Sequence, residues 1–213
     1  MRTTITATIA LSLLLAVLGG CGSGPVSYVS DEVDFGFIRT VAVAPFSNLS
    51  ADRFAAERLE SVFLAELLTY DGLRVVDTGE VRKAWNDLRL GDPDELTPEQ
   101  LKAVGERLGV DAVFTGAVQE YGLERLGGNG TYSVTVVFGM LETVTGSRIW
   151  NAQVQTDGSS FWRSLFGGQP ASQYDVSRKA VRQGLDTLLS GGGGDDGGDD
   201  RRDSSRRGWW EGP

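Results

Sequence analysis

The apolar residues of this chain change period partway along it, and that change limits the fold more than any other feature. Ala55, Leu59, Val62, Phe63, Leu67 and Tyr70 recur at spacings of three and four, so they share one face of a helix expected over 51–70. Leu64 and Leu68 fall roughly opposite, which predicts cover on both sides. Further on the period becomes two. Thr131 to Met140 alternates, with Val134, Val136, Phe138 and Met140 on one face, and Trp150, Ala152 and Val154 alternate with Asn151, Gln153 and Gln155. With Thr145-Gly146 as a turn between them, these stretches predict a long hairpin with one wet side.

The stretches before the hairpin alternate strand and helix. Thr40 to Phe46 is a short apolar run ended by Pro45 and reads as a buried strand. Ser47 to Ser50 reads as a turn and helix start. Leu73 to Asp77 predicts a second strand, and Val81, Ala84, Trp85 and Leu88 a second helix. Thr97-Pro98-Glu99-Gln100 starts a third: Thr97 caps, Pro98 suits the first turn, and Gln100 completes a capping box. Leu101, Val104 and Leu108 form its stripe and Gly109 closes it, before a strand over Asp111 to Val118. Glu120 to Gly130 reads as a Gly-rich loop, and Val181, Leu185 and Leu188 as the stripe of a last helix. Alternation early and a hairpin late predict an α/β fold: a mixed β-sheet, parallel in its first half and antiparallel in its second, with helices packed on it.

The ends of the chain are built differently. Arg2, an apolar run from Ile5 to Leu18 and small residues lead to Cys21, the single cysteine. This is the layout of a bacterial secretory signal peptide, and the run is short for a membrane span. Leu18-Gly19-Gly20-Cys21 resembles the lipobox of bacterial lipoproteins. That resemblance implies cleavage before Cys21 and acyl chains, palmitate among them, on its sulfur and amine. Gly22 and Ser23 follow where an Asp would signal retention, which by the same resemblance implies the outer membrane, periplasmic face. The expected organisation is a signal peptide over 1–20, a lipidated tether over 21–37, one α/β domain over 38–189, and a Gly/Asp/Arg-rich tail over 190–213. The tail lacks the apolar residues to offset its ordering entropy and is expected to be disordered.

Composition narrows the chemistry. There is no histidine, which removes the commonest general base and the usual zinc ligand. One cysteine allows neither an internal disulfide nor a cysteine metal cluster. A net charge of −9 argues against nucleic acid as a partner. Asp92, Asp94 and Glu95 lack the Gly and Glu that a calcium loop needs downstream; Thr97 and Ala103 stand there. Gly127-Gly128-Asn129-Gly130 has no Lys-Ser/Thr sequel and is no phosphate loop. Lys83, Lys102 and Lys179, the bases a Ser–Lys pair would need, sit on expected helix surfaces. No catalytic residue, metal ligand or cofactor is therefore assigned, and the expectation is a protein that is not an enzyme.

VAVAPFSNLS, GLRVVD, LGVDAVFTGAVQEY and ETVTGSRIWNAQV, in that order and behind a lipobox, resemble the CsgG/LpoB-type bacterial outer-membrane lipoproteins. The amino-terminal domain of TolB has a similar pattern. The resemblance implies a non-enzymatic, outer-membrane-anchored periplasmic domain that binds a protein partner in envelope assembly, as an LpoB-like activator or adaptor of peptidoglycan synthase type. The alternative is a CsgG-like subunit of an oligomeric secretion apparatus. A membrane-spanning β-strand takes about 9–11 residues, and neither the Glu120–Gly130 loop nor the Asp157–Ser172 loop supplies such a pair. Phe161, Trp162, Leu165 and Phe166 would share one side of a helical turn. They are candidates for contact with a partner or the bilayer interface, the other reading being a flap folded onto the sheet.

Overall fold

The computed structural model describes residues 24–30, 35–126, 129–158 and 171–190. Among them one sheet carries the strands β1 (Val26–Val29), β2 (Thr40–Val43), β3 (Ser47–Asn48), β4 (Arg74–Val75), β5 (Ala112–Leu126), β6 (Asn129–Glu142) and β7 (Arg148–Asp157). The helices are α1 (Ala55–Leu67), α2 (Thr78–Asp87), α3 (Pro98–Leu108) and α4 (Gln173–Leu189). Strand order is β1-β7-β6-β5-β2-β4, with β3 also on β5. β2 runs parallel to β4 and β5, while β5, β6, β7 and β1 are successively antiparallel. This is the mixed α/β sheet expected from the change of period.

Alternation sends the two sets of strand side chains to opposite faces. One set, with α1 and α4, encloses the main core. At its centre the Phe138 and Trp150 rings stack at 6.3 Å, and Phe63 meets Phe138 at 5.2 Å and Phe114 at 5.4 Å. On the other face Ala42, Ala44, Val113 and Leu141 lie under Val81 and Trp85 of α2 and Leu101 and Val104 of α3. Gln153 and Gln155 stay exposed on this second face, the wet side of the hairpin.

Local signals act as their chemistry requires. Thr97 and Gln100 form a reciprocal capping box, and Gly109 ends α3 in the left-handed conformation at φ 65°. α1 is covered on one side only: Leu64 is partly buried but Leu68 is 66% exposed, which corrects the expected two-sided cover. Its start is later than read, because Ser47–Asn48 joins the sheet and Asn48 and Asp52 close the turn before Ala55.

Two larger differences concern the sheet. Val26–Val29, inside the segment expected as a tether, adds to the open edge of β7. Glu120 to Gly130 is not a loop: β5 and β6 pair continuously to Leu126 and Asn129, past a bulge between Val118 and Glu120. Local sequence disfavours both, and cross-strand hydrogen bonding supplies what it lacks. Among the described residues β7 pairs with β6 as far as Ser133, Gly158 still donates to the Tyr132 carbonyl, and the end of the β5–β6 hairpin beyond is a two-stranded ribbon.

Candidate functional site

The hairpin end of the sheet holds a groove of about 480 Å³, lined by Arg58, Ser61, Val62 and Ala65 of α1, Tyr121 of β5, and Gln173 and Tyr174 of α4. Each wall follows from local structure. The α1 residues lie toward the outer edge of its buried stripe. Tyr121 belongs to the β5 set that faces the helices, since it pairs with Val134 in the core. Ser172 caps α4 in a capping box with Asp175, which places Gln173 and Tyr174 in the first turn.

Polar groups in the walls are fixed. The Tyr121 and Ser177 hydroxyls are 3.2 Å apart, and the Ser177 hydroxyl donates to the Gln173 carbonyl at 2.9 Å. Arg58 pairs with Asp52 at 2.8 Å and leans over the Phe54 ring at 5.6 Å. The Gln173 side-chain amide is buried with no hydrogen-bond partner at either atom. Tyr174 is 56% exposed at the mouth.

One turn along from the groove, Glu66 of α1 ties the two helices together. Its carboxylate accepts from Arg178 Nε at 2.5 Å and from Arg182 Nε at 2.7 Å. Burial pushes the Glu66 carboxyl up, but the hydrogen bonds and charges of Arg182 and Arg178 outweigh it and hold the group below the usual carboxylate range. Further along the same helix pair, burial and then the neighbouring charges of Asp186 and Glu66 push the Tyr70 hydroxyl up to about 12. Burial likewise raises the Asp186 carboxyl. The Glu66 pairs hold α1 against α4; none of these groups lines the groove.

Elsewhere, ionised side chains are tied into the scaffold. Glu60 accepts from the Phe46 N–H at 3.2 Å and pairs with Arg82 at 3.0 Å. Asp94 accepts from Thr115 at 2.9 Å and Arg148 at 3.0 Å, so the acidic loop considered for calcium is a structural tie. Among the described residues no three His, Cys, Asp or Glu side chains converge on a metal site, and no helix is long and apolar enough to cross a membrane.

Of the residues singled out in the sequence, Cys21, Phe161, Trp162, Leu165 and Phe166 lie outside the described residues. The ends of the 159–170 segment are close together: a Cβ built on Gly158 would stand 3.1 Å from that of Ala171. The groove residues themselves escaped sequence reading. Tyr121 fell in a stretch read as loop, and the one available signal at α4, Ser172 three residues before Asp175, marks a helix start and nothing about a groove.

A mixed sheet with two helices on one face and two on part of the other defines an α/β domain. Similar solved structures fall in this class. A single-substitution variant of the PelC dodecamer from Paraburkholderia phytofirmans has a TM-score of 0.53 at 16% identity, over 76% of this chain and 96% of that one. Lipoprotein GNA1162 from Neisseria meningitidis has a TM-score of 0.48 at 18% identity, over 60% and 90%. The carboxy-terminal domain of LpoB from Salmonella enterica has 0.42 at 16%, over 60% and 87%. No protein-family profile matches the chain, and no curated protein matches it in sequence. The likeness to PelC is one of fold.

Proposed function

We propose that this protein is a non-enzymatic lipoprotein, anchored through Cys21 to the periplasmic face of the outer membrane, whose α/β domain binds a protein partner in envelope assembly. The observation that carries the reading is the groove. Its walls are largely apolar, two tyrosines flank it, and the helices that form it are fixed by the Glu66 clamp. A rigid apolar cleft with aromatic anchors at its edge is the chemistry of a protein contact. The lipobox supports the anchor, and the resemblance to LpoB-type lipoproteins supports a partner of peptidoglycan synthase type.

A second reading is favoured by one finding. The fold is shared with a chain that forms a dodecamer, which supports a subunit of an oligomeric assembly. The two-stranded end of the β5–β6 hairpin, Leu123–Leu126 with Asn129–Tyr132, supplies four residues per arm. That is short of the 9–11 or so that a membrane-spanning strand takes.

The test is a photo-crosslinking residue at Tyr174 in intact membranes. A discrete adduct with another envelope protein supports the adaptor. Adducts only with copies of itself, together with a ring in detergent, replace it by the assembly subunit. The absence of any adduct removes the groove as the contact.

A further inference from the structure

The pairing of β1 with β7 shortens the tether, and the shortening limits how far the domain stands from a membrane. Val26 pairs with Gln153, which is level with Val137 of β6. β1 runs away from the hairpin end, so the chain before it leads toward that end. Only four residues lie between Cys21 and Val26, and the five steps reach at most ~18 Å. From Val137 to the ribbon's last pair at Asn129 there are eight residues, which at ~3.3 Å each is ~26 Å. An acyl anchor at Cys21 therefore keeps Val26 within ~18 Å of the surface in which it is seated, and the ribbon, which extends ~26 Å in the direction the tether leads, is long enough to reach that surface.

We infer that the hairpin end of the domain rests on the bilayer interface, with Leu123, Leu49 and Phe54 in contact with lipid. This rests on the attachment of lipid at Cys21 proposed above. The side chains there have the matching chemistry. Leu123 is 49% exposed, Leu49 68% and Phe54 40%. Leu123 and Tyr132 are cross-strand partners on one face of the ribbon, and tyrosine suits the boundary between headgroup and acyl chain. Arg53 lies 4.3 Å over the Phe54 ring, a cation beside an apolar ring as at a headgroup boundary. Asp52 and Glu57 stand nearby, so apolar burial rather than net charge provides the attachment. Val144 is 80% exposed, but it lies on the turn between β6 and β7 at the end of the sheet opposite to the one toward which the tether leads.

The experiment uses the full acylated protein in vesicles of phosphatidylethanolamine and phosphatidylglycerol. Nitroxide labels are placed by Leu123→Cys, Leu49→Cys or Val144→Cys, Cys21 being occupied by lipid. Mass spectrometry of the amino-terminal peptide establishes acylation. The expected result is an oxygen-to-nickel-chelate collision ratio several-fold higher at positions 123 and 49 than at 144. Equal, water-like ratios at all three in acylated protein overturn the inference and leave the anchor standing. An amino-terminal peptide without acyl mass overturns both.

Discussion

Glu66 of α1 accepts a 2.7 Å hydrogen bond from Arg182 of α4, and these residues are 116 positions apart in the chain. With Arg178 on its other oxygen, the carboxylate makes two charge-assisted contacts from a position only 7% exposed. The clamp sets the spacing of the two helices that wall the groove, so its loss is felt in stability and in the groove together.

Glu66→Gln removes that charge. Its arginines are half-exposed and stay hydrated when released, so the expected loss is about 1–3 kcal/mol. Because the folded state holds the Glu66 carboxyl below its unfolded value, its contribution is present above the ordinary carboxylate pKa and disappears as pH falls through the lowered one. Urea melts of both proteins from pH 7 downward should converge in acid; a gap independent of pH would show that charge is not the cause.

Asp186→Asn has the opposite sign. Burial raises the Asp186 carboxyl, so ionising it opposes folding, and that penalty sets in as pH rises through the raised value. The amide variant is expected to match or exceed the parent in stability at pH 7 and to lose that advantage in acid. A variant clearly less stable at pH 7 would place the charge in a favourable contact with Arg182.

Gly184→Ala is expected to destabilise even though alanine is the better helix former by about 1 kcal/mol. A Cβ there would lie 2.6 Å from the Phe138 ring, which is fully buried between Phe63 and Trp150 and has no room to retreat. Overpacking costs typically about 1–3 kcal/mol. A higher melting temperature for the variant would mean that α4 stands off the sheet at this point.

Removing residues 191–213 is expected to change the melting temperature little. α4 ends at Leu189, and the core residues lie between Ile38 and Leu188. A fall of many degrees in a thermal melt would show that Trp209 and Trp210 dock on the domain.

Cys21→Ala is expected to leave the protein unprocessed or mislocalised, because the lipobox resemblance gives this residue the lipid. Acyl labelling and membrane fractionation check it; unchanged labelling in the variant rejects the assignment.

Short-range chemistry was legible without the structure. Thr97, Pro98, Gln100 and Gly109 bound α3 because a cap needs only residues a turn apart, and those side chains meet in the structure as the spacing requires. The alternation of Val134, Val136, Phe138 and Met140 against Trp150, Ala152 and Val154 foretold a hairpin with one buried face, since period two leaves no other arrangement. Long-range pairing was not legible. Val26–Val29 has no pattern of its own and becomes a strand because β7, more than 100 residues later, offers an unpaired edge. Glu120 to Gly130 reads as loop from its glycines, yet extends the hairpin because each strand satisfies the other's backbone. The groove belongs to the same class: Val62, Tyr121 and Tyr174 meet only when α1, β5 and α4 have docked, and their juxtaposition is a property of packing that no local period encodes. The sequence alone therefore determined the class of sheet, its helices and the capped ends of α3. Tertiary structure decided the shortened tether, the two-stranded ribbon and the cleft, because each depends on contacts whose partners lie far apart along the chain.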